Sequence, residues 1–184
     1  MKERLIPLYR EEELYTLFYD PQNNHLYKFQ HRNKSFGVFF MGILVVTYVS
    51  KFLDGIYQPH QSAFLNMILF MLGIGLTYYV TTKFYSAYYL QETKRAVIFD
   101  KVYLQECATK GMKQLRIEFF ASIVSLPVGI IFFIIFFTTS SIRPLVIGYI
   151  CVAVIFILTF MRPLARKKVL RGFKNKGIDI EEEK

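Results

Sequence analysis

The side chains that most often carry out catalysis or bind metals are few in this sequence and far apart. The histidines are His25, His31 and His60, and the cysteines are Cys107 and Cys151. Neither cysteine has a histidine beside it in sequence to act as its base, and there is no Cys-x-x-Cys pair or ligand cluster with metal-site spacing. A Walker motif, a glycine-rich dinucleotide fingerprint and an EF-hand loop are also absent. We therefore expect no catalytic residue, no metal and no cofactor.

Long apolar blocks dominate the chain, which has 184 residues, of which 53% are hydrophobic. A helix needs about 17–25 predominantly apolar residues to cross the hydrocarbon core of a bilayer. Four blocks meet this length, and none of them contains Asp, Glu, His or Arg, the groups that proton relays and ion paths require. The blocks are 36–53, 63–82, 119–139 and 144–161. Short connections join the first to the second and the third to the fourth. The sequence thus predicts an all-α integral membrane protein with four transmembrane helices arranged as two antiparallel hairpins.

The positive charges predict the orientation of these helices. Segments 1–35, 83–118 and 162–184 hold six, seven and eight of the 23 Lys and Arg residues, and only Lys51 and Arg143 lie elsewhere. Cytoplasmic segments of membrane proteins carry an excess of Lys and Arg. We therefore expect a cell-membrane protein with both termini in the cytoplasm. The net charge of +9 then reflects topology, and no nucleic-acid partner is expected.

The same pattern predicts the domain limits and the state of the thiols. Cys107 lies in a predicted cytoplasmic loop and Cys151 in the fourth span, so the two are expected to remain unpaired thiols. The expected regions are a cytoplasmic N-terminal segment 1–35, a transmembrane domain 36–161 that includes the cytoplasmic loop 83–118, and a basic, then acidic, cytoplasmic tail 162–184.

Outside the spans, two segments carry patterns of their own. Leu14–Asp20 and His25–His31 are aromatic, strand-like runs separated by Pro-Gln-Asn-Asn, which favours a β-hairpin with a four-residue turn. An amphipathic helix that begins at Glu11 is the alternative. Residues 95–104 fit either a strand or an interfacial helix, and periodicity does not decide between them.

The spans contain a small set of candidate partner-interface residues. Ala121, Ser125 and Gly129 recur every four residues, a spacing of small side chains that lets another helix approach closely. That helix is either a neighbouring span of the same chain or a separate protein. Asn66 can form a hydrogen bond between helices, and Lys51 either reaches the outer headgroups or contributes to binding.

The layout resembles small polytopic immunity proteins of Gram-positive bacteria, which are often encoded as tandem paralogues. These proteins protect the producing cell against antibacterial toxins exported by its type VII secretion system. The resemblance lies in the strand–turn–strand stretch Leu14–His31, the basic entry Asn33–Lys34–Ser35–Phe36 to the first span, and the paired spans. The family commonly has five spans, whereas this chain has four predicted spans and no tryptophan. The resemblance therefore transfers no site residues.

Two functions agree with these observations. The resemblance implies a non-enzymatic protein that neutralises a membrane-inserting antibacterial toxin within the bilayer. The alternative is an accessory subunit of a transporter or secretion complex that docks through the same small-residue row. In both cases the expected partners are membrane lipid and a second membrane protein, and the oligomeric state is left open.

Overall fold

The computed structural model describes residues 5–11, 14–30, 36–89, 95–96 and 101–175. The described elements are β1 (Ile6–Glu11), β2 (Tyr15–Asp20), β3 (His25–Gln30), α1 (Phe36–Tyr57), a 3-10 turn (Gln58–His60), α2 (Ala63–Tyr89), β4 (Arg95–Ala96), α3 (Lys101–Thr139), α4 (Ile142–Phe160) and α5 (Pro163–Lys174). Two segments named above lie outside the described residues. They are Asn33–Lys34–Ser35, on which the family resemblance partly rests, and the acidic end of the tail, Glu181–Glu183.

Three helices of the described chain are long and apolar enough to cross a membrane. They are Ala63–Ser86 within α2, Val102–Thr139 within α3 and Ile142–Phe160, which is α4. The membrane character predicted from hydropathy is therefore confirmed for three helices, whereas the predicted number of four spans is not. The first predicted span lies within α1, a 22-residue helix, many of whose side chains lie outside the described residues.

Two of these helices extend well beyond the predicted spans. α2 continues past Thr82 to Tyr89, and α3 begins at Lys101 rather than at Phe119. The 39 residues of α3 are about 58 Å long at 1.5 Å per residue, against about 30 Å for the hydrocarbon core. Hydropathy marks only the apolar part of such a helix, and much of the predicted loop 83–118 is therefore helical.

The N-terminal strands confirm the predicted β-hairpin and add to it. β2 and β3 pair antiparallel from Tyr15–Gln30 to Asp20–His25. In the turn between them, the Asp20 carboxylate accepts hydrogen bonds from the Gln22 backbone N–H and the Asn23 amide, both at 2.9 Å. These contacts satisfy polar groups that the reversal of the chain leaves without strand partners.

The hairpin is the centre of a four-stranded antiparallel sheet with strand order β1-β2-β3-β4. The sequence does not predict β1, because Pro7 weakens its strand signal; the register shifts between Pro7 and Tyr9, where a proline is tolerated. The two alternatives left open for residues 95–104 each apply to the part that the structure describes, and residues 97–100 lie outside the described residues. Arg95–Ala96 form β4 beside Tyr27 and Lys28, and α3 begins at Lys101.

The chain forms two compact units. The sheet unit comprises residues 1–32, 83–120 and 158–184, and the bundle unit comprises residues 33–82 and 121–157. In the sheet unit, Leu17, Leu26 and Leu170 lie in one buried cluster, and the rings of Tyr19 and Phe173 meet edge to face at 5.4 Å. α5 therefore buries one face against the sheet.

Candidate functional site

Aromatic side chains fill the interior of the bundle unit. Phe136 of α3 is fully buried together with Tyr57 and Leu145. The Phe70 ring of α2 meets the Phe133 ring of α3 edge to face, with centroids 5.0 Å apart. These contacts hold α2, α3 and α4 together. Edge-to-face ring pairs also favour one relative orientation of the helices, because they have a preferred geometry that aliphatic contacts lack.

Tyr149 packs α4 directly onto the backbone of α2. Its hydroxyl donates hydrogen bonds to the carbonyl oxygens of Leu69, at 2.8 Å, and Phe70, at 3.3 Å. A Cβ added to Gly73 would lie 2.0 Å from Cζ of Tyr149. Only glycine leaves room for the phenol ring at this position, and the hydroxyl gains an acceptor inside the bundle.

The predicted small-residue row runs from the surface into the interface between α3 and α4. A Cβ added to Gly129 would lie 3.1 Å from Cβ of Cys151 and 3.8 Å from the carbonyl oxygen of Gly148. Gly129 thus uses its small size for packing within the chain. Ser125 is half-buried and Ala121 is exposed, so the row has an open end at Ala121.

Asn66 connects three segments of the bundle unit. It is buried, it accepts a hydrogen bond from the Tyr57 hydroxyl, and its amide donates to the Ser140 hydroxyl at 2.9 Å. Asn66 therefore joins the end of α1 and the α3–α4 turn to α2. Both amide atoms are engaged in structural contacts.

Asp54 follows the predicted span 36–53 directly; it lies in the last turn of α1 and holds the start of α4. Its carboxylate accepts hydrogen bonds from the Ile142 backbone N–H at 2.5 Å and the Ser141 hydroxyl at 3.1 Å, and it lies 3.4 Å from Nε of Arg143. A carboxylate is favourable at a helix N-terminus, where backbone N–H groups lack partners. The sequence shows only an acid immediately after an apolar block, and this pattern does not identify the partners of Asp54. Lys51, one turn earlier on α1, is exposed.

Among the described residues of the sheet unit, one cation is buried. The Arg166 side chain of α5 is only 3% exposed, and its Nη1 lies 2.6 Å from Oε2 of Glu118 on α3. Its Nε donates to the carbonyl oxygen of Leu8 on β1 at 3.4 Å. One guanidinium thus connects β1, α3 and α5. The sequence grouped Arg166 with the other basic residues of the tail, because nothing in the pattern distinguishes it.

Tyr15 lies at the centre of the polar contacts beside the sheet. Its hydroxyl donates to Glu11 at 2.5 Å and lies 2.6 Å from the hydroxyl of Tyr103. Burial, and then the hydrogen bond to Glu11, raise the pKa of Tyr15. The phenol therefore stays protonated at neutral pH and donates to the carboxylate, which is a structural role.

The remaining chemistry-bearing residues are dispersed. Cys107 is buried and Cys151 half-buried, and both are free thiols. His25 lies on β3 and His60 in the 3-10 turn, while His31 lies outside the described residues. Within the described ranges, no group of three His, Cys, Asp or Glu side chains is arranged to hold a metal ion. Comparison of the chain with family models, curated proteins and solved structures finds no match.

Proposed function

We propose that this protein is a non-enzymatic, multi-pass membrane protein that binds a protein partner within the bilayer. Its most concrete function is that of an immunity factor that neutralises a membrane-targeting antibacterial toxin. In this proposal α1 is a fourth span, the spans form two antiparallel hairpins, and both termini are cytoplasmic in the cell membrane. The three apolar helices and the distribution of Lys and Arg support that topology.

The observation that carries the proposal is the contrast between the interior and the exterior of the bundle unit. Among the described residues, no buried side-chain nitrogen or oxygen lacks a hydrogen-bond partner. The exterior, by contrast, is formed by large exposed hydrophobic side chains on α2 and α3, among them Phe64, Met67, Met71, Leu72, Ile123, Ile130, Ile131 and Ile134. Such a bundle presents helix surface to its surroundings and uses its polar groups to maintain its own packing.

The open end of the small-residue row is the best candidate for close contact with a partner helix. Ala121 is exposed, whereas Gly129 is already packed against α4. Helices associate in bilayers where small residues let their backbones approach. A larger side chain at Ala121 therefore blocks a partner without disturbing the packing of the bundle, which a substitution at Gly129 cannot do.

Cells that express a candidate membrane-depolarising antibacterial toxin provide the test, with a potential-sensitive dye as the readout. Wild-type protein should preserve the membrane potential, and Ala121→Leu should lose this protection at normal abundance. Val124→Leu, at an exposed position one helical turn away, is the matched control and should protect. Cys151→Ala and His60→Ala should also protect, because we assign no chemistry to either side chain.

Two outcomes would overturn parts of this proposal. Loss of protection in Cys151→Ala or His60→Ala at normal abundance would indicate a chemical role for that residue. Absence of protection by the wild-type protein, together with its copurification in a stoichiometric complex with a membrane ATPase, would reject the immunity function in favour of an accessory subunit.

A further inference from the structure

A groove with a volume of about 840 Å³ lies between α3 and α5 in the sheet unit. This volume is within the range of pockets that hold small molecules. Its apolar lining includes Met112, Leu115 and Phe119 of α3 and Leu164 of α5. Leu164 is 83% exposed and Phe119 is 52% exposed, so the groove presents hydrophobic surface that the described residues do not cover.

The rim of the groove is basic. The groove is lined by the exposed side chains of Arg116 on α3 and of Lys167, Arg171 and Lys174 on α5, and none of the described lining residues carries a carboxylate. The ion pair between Arg166 and Glu118 lies outside this lining, and the Arg166 guanidinium also contacts the Leu8 carbonyl oxygen of β1. Four positive charges therefore surround an apolar groove, and none of its described lining residues is an acid that would neutralise them.

Helical spacing explains how α5 brings these side chains together. The α5 residues that line the groove recur at intervals of three, four and three residues, which places them on one helical face. They are Leu164, Lys167, Arg171 and Lys174. The opposite face is buried against the sheet through Val169, Leu170 and Phe173. Topology alone requires basic residues near a span, but it does not require them to share a face beside an apolar groove.

The groove adjoins the ends of two apolar helices in sequence. α5 begins at Pro163, directly after α4 ends at Phe160, and Phe119 marks the start of the apolar part of α3. A groove at such a position can admit an acyl chain along its hydrophobic lining while its cations meet a phosphate. Basic pockets at the cytoplasmic ends of transmembrane helices bind anionic headgroups in this way.

We propose that the groove between α3 and α5 is a binding site for one anionic phospholipid of the inner leaflet. Its phosphate lies among Arg116, Lys167, Arg171 and Lys174, and an acyl chain lies against Phe119 and Leu164. This site rests on the membrane-spanning character of α3 and α4 and on the proposed cytoplasmic orientation of α5, and it is independent of the proposed partner protein.

Native mass spectrometry of the full-length protein in a nonionic detergent tests the site. The probes are phosphatidylglycerol and phosphatidylcholine with the same acyl chains, at equal concentrations. Wild-type protein should retain phosphatidylglycerol in preference to phosphatidylcholine. The double variant Arg116→Gln/Lys167→Gln should weaken phosphatidylglycerol binding on the order of tenfold or more, because each basic residue contributes substantially to anionic-lipid attraction.

Lys113→Gln/Lys168→Gln is the matched control, because it removes the same charge from the same two helices at exposed positions outside the groove. It should bind the lipid as the wild type does. Equal losses in the two double variants would overturn the proposal in favour of diffuse electrostatic attraction.

Two further arms test the lipid as occupant. Leu164→Gln should weaken phosphatidylglycerol binding without affecting the monodisperse size-exclusion profile, because Leu164 is exposed. Unchanged binding in this variant would contradict the acyl-chain contact. Glycerol phosphate at the concentration of the lipid should not displace it; displacement would identify a site for soluble phosphate esters and reject the lipid.

Discussion

The phenol ring of Tyr149 on α4 occupies the space that a side chain at Gly73 would fill on α2, and its hydroxyl is 2.8 Å from the Leu69 carbonyl oxygen. The Tyr149 ring fits against α2 because Gly73 has no side chain, and its hydroxyl is hydrogen-bonded to the Leu69 carbonyl oxygen. This contact depends on a glycine at one position of α2, and α2 contains a second glycine that serves as a control.

Gly73→Ala should destabilise the protein, whereas Gly75→Ala should not. The new Cβ at position 73 must displace the Tyr149 ring, and overpacking of this kind costs about 1–3 kcal/mol. Nothing lies within 4 Å of a Cβ at Gly75, so alanine there should be neutral or should stabilise the helix by up to about 1 kcal/mol. Thermal unfolding of a fluorescent-protein fusion in detergent, followed by size-exclusion chromatography, measures both effects.

The same contact can be tested by a double-mutant cycle. Once Tyr149→Ala has removed the ring, Gly73→Ala should cost little, and the two substitutions should be strongly non-additive. If Gly73→Ala has the same cost with and without the ring, the contact between Gly73 and Tyr149 does not exist.

Loss of the Asn66 side chain should weaken the attachment of α1 and the α3–α4 turn to α2. Asn66→Leu leaves the hydroxyls of Tyr57 and Ser140 without their partner, at a cost of about 1–2 kcal/mol for hydrogen bonds within a membrane. Tyr57→Phe removes one of the two bonds and should have a smaller effect. Thermal unfolding of both single variants and the double variant should show that Tyr57→Phe adds little once Asn66 is replaced; full additivity would argue against the hydrogen bond.

The sequence predicts the apolar segments and the hairpin because each depends on local patterns. Hydropathy places the cores of α2, α3 and α4, and the aromatic runs on either side of Pro21–Asn24 predict β2 and β3. Local patterns do not reveal β1, because Pro7 weakens the strand signal of this segment. The strand is stabilised by its pairing with β2. Local patterns also miss the helical extension of α3 to Lys101, since this part of the helix is polar and packs beside the sheet.

The interior contacts could be predicted only in part. The spacing of Ala121, Ser125 and Gly129 identified a packing row, but not that Gly129 packs on Cys151 while Ala121 is exposed. Asp54 and Arg166 were not singled out, because a helix-capping carboxylate and a buried guanidinium depend on partners distant in the chain. Their roles follow from tertiary structure, which no local pattern of charge encodes.

Arg166→Met should loosen the sheet unit more than Lys168→Met does. Arg166 is buried and contacts Glu118 and the Leu8 carbonyl oxygen, whereas Lys168 is exposed on the same helix. Because Glu118 is itself about one-third exposed, water compensates part of the loss, and we expect a cost of about 1–3 kcal/mol. Limited proteolysis should cut the Arg166→Met protein faster, and equal cleavage of the two variants would contradict the role assigned to Arg166.

Gly111→Ala should displace β1 from α3. A Cβ at this position would lie 2.4 Å from the backbone carbonyl oxygen of Leu8, and a backbone atom cannot rotate away as the end of a side chain can. The expected cost is again about 1–3 kcal/mol. Gly55→Ala, with nothing within 4 Å, is the control and should unfold at the wild-type temperature or above. Equal stability of the two variants in the same thermal assay would show that β1 does not pack on α3 at Gly111.

Thiol labelling of single-cysteine variants can establish the orientation and the fourth span together. Gln30, His60 and Lys168 are exposed positions before α1, after α1 and on α5, and Cys107 and Cys151 are replaced by alanine in the background. If both termini are cytoplasmic and α1 crosses the membrane, a membrane-impermeant maleimide should label only His60→Cys in intact cells. Gln30→Cys and Lys168→Cys should react only after permeabilisation, because the Lys and Arg residues around them hold these segments inside. Labelling of both Gln30→Cys and His60→Cys in intact cells would mean that α1 does not cross the membrane, and labelling of Lys168→Cys would place the basic helix α5 outside, against the distribution of charge.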